Sequence, residues 1–265
     1  MKKYSVLSAI GTVILMNSCS DDRDIINSAD KKIVLNKVTT VYYDNPSSPE
    51  TNIATFNYNN EGELIKIVSE GRTSTFEYDA EGKPKKTIYY NSAGVPEYYS
   101  LYTYNGEQLS NVKAVYSNPD FNRTISYTYE NGKVKTSTLC QSADCSNPST
   151  SSYQYSGDNI SVETSVIGGT FSYATQQVFT YDNKPNPFTY TNKYFRISSG
   201  GAYILSGNNY LTEKKSYKDS AGMWIPNQNI TYHIQYNSSN LPAQVTGKNS
   251  NGNQYVQYKY EYIIQ

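Results

Sequence analysis

Phe76-Glu77-Tyr78-Asp79-Ala80-Glu81-Gly82-Lys83-Pro84 is the phrase on which the fold turns. Alternating residues run up to a tyrosine, a short polar turn follows, and a fresh run begins. Variants return as Tyr58-Asn59-Asn60-Glu61-Gly62, Tyr104-Asn105-Gly106, Tyr129-Glu130-Asn131-Gly132, Tyr155-Ser156-Gly157-Asp158, Tyr181-Asp182-Asn183 and Tyr236-Asn237-Ser238. The closing tyrosines are spaced by 20, 26, 25, 26, 26 and 55 residues, so the last gap reads as about two units. A period this long, used repeatedly, marks one supersecondary unit copied many times.

Each unit reads as a hairpin. Asn-Gly, Asp and Ser at the junctions supply the positive φ that tight turns need. The runs between them alternate: Ile125, Tyr127 and Tyr129 oppose Thr124, Ser126 and Thr128. Phe171, Tyr173, Phe179 and Tyr181 oppose Ser172, Ala174, Val178 and Thr180 in the same way. Ile230, Tyr232, Ile234 and Tyr236 form another such set, and so do Val256, Tyr258, Tyr260 and Tyr262. A period of two puts each set on one face of a strand. A second series of turns falls midway, for example at Asn91–Gly94, Asn118–Asp120, Gly168-Gly169 and Asp219–Gly222. One period therefore holds two strands and two turns. The expected fold is all-β: an up-and-down antiparallel meander of roughly 14–18 strands, closed or rolled into a barrel-like shape, with no helix longer than about two turns. Tyrosines that alternate with aliphatic residues should face the interior.

The chain opens on Met1-Lys2-Lys3 and an apolar run from Tyr4 to Met16, the anatomy of a secretory signal and too short for a permanent span. Leu15-Met16-Asn17-Ser18-Cys19 resembles a lipobox of the looser kind familiar in Bacteroidetes. That resemblance makes residues 1–18 a lipoprotein signal peptide and Cys19 the lipidated first residue; the alternative is an ordinary secreted chain cleaved nearby. Ser20-Asp21-Asp22-Arg23-Asp24 resembles the surface-export signal of such lipoproteins, and otherwise reads as a solvated tether. Residues 19–30 are expected to be a flexible acidic tether, and 31–265 a Tyr-rich repeat β-domain.

Composition limits the functions further. The 265 residues are 37% hydrophobic, with 29 Tyr against 7 Phe and 1 Trp. Tyr buries a ring while its hydroxyl seeks a partner, which suits strands whose faces are never fully dry. Lys+Arg equals Asp+Glu at 23 each, so no electrostatic footprint for nucleic acid exists. Cys140 and Cys145 flank a short loop and are expected to close it with a disulfide in an oxidising envelope.

The Tyr-Asp-x-x-Gly and Tyr-Asn-x-x-Gly phrases resemble the tyrosine–aspartate repeats of Rhs-type shells. The lipobox combined with the Tyr-rich meander is closer still to a family of Bacteroidetes lipoproteins of unknown function with a porin-like fold, over roughly residues 33–265. That resemblance implies a long sheet rolled or closed into a barrel, an outer-membrane lipoprotein facing the cell surface or else the periplasm, and no catalytic residue.

Little in the chain points to chemistry. His233 is the only histidine and lies on the polar side of its strand. Neither a triad nor a metal cluster can be built on it. Asp79, Asp182, Glu61, Glu81 and Glu130 recur beside the closing tyrosines, where turn chemistry accounts for them. No catalytic, metal or cofactor site is expected, and no cofactor. Trp224, in the connection Ser220–Asn227, is the candidate ligand contact, able to stack on a sugar or a partner side chain; the alternative has it folded over the sheet as a plug. The leading expectation is a non-enzymatic, lipid-anchored envelope module that binds glycan, peptide or an envelope protein. The alternatives are an outer-membrane channel and a glycan-active hydrolase.

Overall fold

The computed structural model describes residues 32–169 and 172–265. Cys19, the signal segment, the tether and Phe171 lie outside them. Among the described residues, sixteen strands follow one another. The first eight are β1 (Ile33–Tyr42), β2 (Glu50–Tyr58), β3 (Leu64–Ser69), β4 (Arg72–Tyr78), β5 (Pro84–Tyr90), β6 (Pro96–Asn105), β7 (Gln108–Tyr116) and β8 (Arg123–Glu130). The second eight are β9 (Lys133–Cys140), β10 (Ser149–Ser156), β11 (Asn159–Ile167), β12 (Tyr173–Pro185), β13 (Asn208–Lys218), β14 (Trp224–Tyr236), β15 (Pro242–Asn249) and β16 (Gln254–Ile264). Each pairs antiparallel with its sequence neighbours, and β16 pairs with β1 from Ile33↔Ile264 to Tyr42↔Val256, closing the barrel. The expected meander is thus a complete barrel with no free edge.

The repeated phrase has a local physical cause. In Tyr-Asp/Asn-x-x-Gly turns the side-chain oxygen caps the loop: Asp79 Oδ1 accepts from the Glu81 and Lys83 amides, both at 2.9 Å, and Asn59 Oδ1 does the same for Glu61 and Glu63. Gly82 then takes φ +73°, where a Cβ would be strained. A register shift falls immediately before each of the seven closing tyrosines. A bulge at that point re-aims the side chain. Tyr58, Tyr78, Tyr104, Tyr129 and Tyr181 use it to donate to the carbonyls of Leu35, Leu64, Pro84, Leu109 and Ile160 on the neighbouring strand, at 2.6–2.8 Å. Tyr262 does likewise to Pro242 at 2.8 Å, making it an eighth closing tyrosine that the sequence pattern had not set apart. Each hydroxyl fastens the open end of a hairpin whose turn is at the other rim.

The 55-residue gap is not two units. It holds one hairpin, β13 and β14, and an insertion between β12 and β13. The insertion contains a 3-10 turn at Pro187–Tyr190 and the short helices α1 (Lys193–Ser199) and α2 (Ala202–Leu205). Asn186 and Asn192 cap the first two by accepting from the Phe188 and Tyr194 amides at 2.9 and 2.8 Å. Gly200 and Gly201, at φ +69° and +79°, reverse the chain between the helices. The insertion turns into the barrel as a plug. Phe188 and Phe195 meet Phe56 edge-on at 6.5 and 6.4 Å, Phe195 meets Phe76 at 6.0 Å, and Tyr194 meets Tyr104 at 4.9 Å. Two apolar clusters result, one around Phe188 and Phe195 with Leu35, Ile230 and Val256, the other around Tyr194 and Ala202 with Leu109, Tyr153 and Ile160.

The tyrosine face is the inner one. Tyr127, Tyr232 and Tyr260 are buried and Tyr129, Tyr181, Tyr236 and Tyr258 half-buried; Tyr173, at the open start of β12, is 48% exposed and departs from the expectation. The outer face carries the opposite set. Thr180, Thr212, Thr231 and Lys248 lie side by side across four strands, and Lys37 pairs with Glu261 at 2.8 Å.

Candidate functional site

Cavities of about 380 and 230 Å³ lie within the barrel, with plug residues in their walls. The larger is walled by a ladder in which Tyr89, Tyr98 and Tyr116, paired across β5, β6 and β7, stack at 4.3 and 4.5 Å. Arg123 lies 5.8 Å from the Tyr116 ring centroid, and α1 contributes Phe195, Ser198 and Ser199. A third hollow, about 310 Å³, opens between the plug and β8–β10. Its Lys133 is paired with Asp158 at 2.8 Å, and its Arg196 donates to the Ile204, Leu205 and Ser206 carbonyls at 2.8–2.9 Å. Lys133 thus ties two wall hairpins together, and Arg196 ties α1 to the end of α2 within the plug.

The smaller cavity has a different character. Tyr203 of α2 and Tyr210, Tyr232 and Tyr258 of the wall supply four rings around it, with Ile234 and Val245. Two acceptors complete its lining, Glu213 and Asn209. Glu213 accepts from Gln177 Nε2 at 2.7 Å and from the Tyr232 hydroxyl at 2.8 Å. Burial, reinforced by that carboxylate, pushes the Tyr232 phenol well above its ordinary range. Asn209 is 1% exposed. Its Nδ2 donates to the Asp182 carboxylate and, at 3.0 and 3.1 Å, to the Lys184 and Pro185 carbonyls, which fixes the amide orientation. Its Oδ1 is left with no partner. Asp182 also accepts from the Tyr236 hydroxyl and from the Lys184 and Asn209 amides, so it anchors the root of the insertion instead of capping a simple turn.

A second lumenal carboxylate, Glu163 on β11, lies opposite Tyr153 and accepts from the Ala202 amide at 3.1 Å at the start of α2. Burial raises its pKa and the charge of Glu213 adds to the rise. Among the described residues, no group of three His, Cys, Asp or Glu side chains is placed to hold a metal.

The residues singled out from sequence are not brought together. Cys140 and Cys145 are joined by a disulfide across their loop, Cα atoms 4.8 Å apart. Trp224 is not in a long connection: Asp219–Met223 is a tight turn closed by Asp219, and Trp224 begins β14 opposite Lys218, whose ammonium is 5.7 Å from its ring. It lines none of the three cavities. His233 is exposed opposite Thr246. Asp79, Glu61, Glu81 and Glu130 occupy the rims. Sequence reading missed Asn209, Glu213 and Glu163. The available signal was polar residues at tyrosine-facing positions: Glu213 stands four residues before Tyr217 on the same face, and Glu163 lies opposite Tyr153.

No protein-family model matches the chain, and no curated protein is detectably similar to it. Solved structures do match. A porin-like protein from Bacteroides uniformis aligns at TM-score 0.54 and 16% identity, over 87% of this chain and 96% of that one. A porin-like protein from Bacteroides vulgatus aligns at TM-score 0.50 and 11% identity, over 88% and 99%. A TcdB2-TccC3-Cdc42 structure aligns at TM-score 0.31 and 13% identity over 13% of its chain, too loosely to carry an argument. At these identities the likeness is one of fold: the chain shares the closed antiparallel barrel of the porin-like Bacteroides proteins.

Proposed function

We propose that this chain is a non-enzymatic binding barrel of the cell envelope, held to the outer membrane by a lipid on Cys19, that receives a small polar ligand or segment of a larger one in its tyrosine-lined lumen. The observation that carries this reading is the division of the two faces. Aromatic rings and convergent polar groups line internal cavities, as ligand sites require. The outside carries many Thr, Lys, Gln and Glu along the strands, with exposed aliphatics such as Ile53, Leu101 and Val178 interspersed among them, where a lipid-facing barrel needs a predominantly apolar band. The outward face and the plug both weigh against an open channel. No helix among the described residues is long and apolar enough to cross a membrane, which says nothing of the strands; on the binding-barrel reading, membrane association rests on the anchor.

The test has two arms. Cys19→Ala should move the protein from membrane to soluble fractions or block its processing. Residues 20–265 should bind an envelope glycan, peptide or protein saturably, and Tyr98→Ala in the larger cavity or Tyr258→Ala in the smaller should abolish it. Unchanged membrane association, or no saturable binding to any envelope component, would refute the proposal.

The placement of Glu163 and Glu213 on the lumenal side, with the charge of Glu213 contributing to the raised pKa of Glu163, favours one second reading, a glycan hydrolase, since glycoside hydrolysis uses two carboxylates of which one keeps its proton. It requires release of reducing sugar that disappears in both Glu163→Gln and Glu213→Gln.

A further inference from the structure

We propose that the cavity between Glu213 and Asn209 is a site for a primary ammonium group, carried by an amino sugar or an aliphatic amine; this rests on the binding-barrel reading and specifies its ligand. Three features converge on that chemistry. The Glu213 carboxylate is held by two neutral donors, Gln177 and Tyr232, and makes no ion pair within 4.0 Å among the described residues. Lys215, the next residue on the same face, is opposite Gln177 and does not pair with it. The site therefore presents a half-buried carboxylate with no cationic partner of its own, which a cation entering the cavity can supply.

Asn209 Oδ1 is the second feature. It is buried and unpartnered, while the same amide's Nδ2 is fully committed to Asp182 and two carbonyls. Asn209 is part of the cavity lining. A native side chain left with an unmet acceptor calls for a donor, which an occupant of the cavity can bring once the amide is reached by a small local shift. Water can supply that donor but cannot balance Glu213. An N–H-bearing cation does both, and a quaternary ammonium, which has no N–H, does not.

The rings are the third. Tyr203, Tyr210, Tyr232 and Tyr258 present π-surface around the two acceptors, and no lysine or arginine side chain lines the cavity. Aromatic faces attract ammonium groups. At about 230 Å³ the space takes a monosaccharide or a short alkyl chain. Glu213, Tyr210, Ile234 and Tyr258 are only half-buried, so the cavity is reachable from solvent.

The experiment is calorimetric titration of the full-length protein in a non-ionic detergent with two matched pairs: glucosamine against glucose, and pentylamine against 1-pentanol. At least one amine should bind saturably and about tenfold or more tightly than its neutral counterpart, the scale of one charge-assisted contact. Which pair responds distinguishes an amino sugar from an aliphatic amine. Glu213→Gln should weaken that binding about tenfold and Tyr258→Leu several-fold, with thermal unfolding checking that each variant is folded. If Glu213→Gln does not fold, the amine-to-neutral contrast and Tyr258→Leu decide. Absence of amine binding, equal affinity for the neutral partner, or unchanged affinity in a folded Glu213→Gln would each overturn the assignment. Capture of an amine-free envelope ligand equally by wild type and Glu213→Gln would overturn it while leaving the binding-barrel reading intact.

Discussion

Tyr78 ends β4 with its ring half-buried and its hydroxyl 2.7 Å from the Leu64 carbonyl. The ring fills the inner face and the hydroxyl fastens the hairpin, so the two contributions separate in mutants. Tyr78→Phe keeps the ring and should lose about 1 kcal/mol, the net worth of one hydrogen bond, in urea unfolding. A variant as stable as wild type would mean that the hydroxyl adds nothing. Glu163 offers a pH test. Burial raises its pKa above the ordinary glutamate value of 4.5, so the folded state holds the proton longer than the unfolded chain does. Stability from this group is fully present below the unfolded pKa and declines as pH rises through the folded one. Glu163→Gln lacks that decline. Its melting temperature relative to wild type should therefore rise between about pH 4 and pH 7. A constant difference would place the carboxyl in a water-like environment.

Among the elements, the plug decides whether the barrel has a core. Phe195 of α1 touches both Phe56 and Phe76, joining the insertion to β2 and β4. Phe195→Ala should cost about 3–5 kcal/mol, as for other buried aromatic truncations, measured by denaturant unfolding. A loss well below that would show a plug that sits loosely in the lumen. The strands were readable from sequence because a period of two and Asx-Gly turns are local signals. The insertion was not. Its helices are only 7 and 4 residues long, too short to show helical periodicity, and the 55-residue spacing mimicked two repeats. Asn186-Pro187 and Asn192, caps followed by aromatic residues, were the cues that marked it. The consequence reached the site: Asn209 and Glu213 follow the insertion, so their inward orientation depended on a boundary the repeat did not reveal.

For the whole molecule, the direction of the tyrosine face was anticipated from the pattern of alternation, whereas the sequence left open whether the sheet closes or only rolls, and the β1–β16 pairing closes it. Which cavities survive inside was not anticipated, because that depends on how the plug packs against sixteen strands at once. A closed barrel has no sheet edge to protect, so its outer face alone determines its solvent. Here that face includes the Lys37–Glu261 pair and the Thr180, Thr212, Thr231, Lys248 row. The most direct measurement is the behaviour of residues 20–265, lacking Cys19, in buffer without detergent and then in a planar bilayer. A plugged, water-facing barrel should stay soluble and monodisperse, with β-rich circular dichroism, and should pass no ions. Precipitation unless detergent is present, together with steady ion conductance, would contradict it and make the chain an embedded channel.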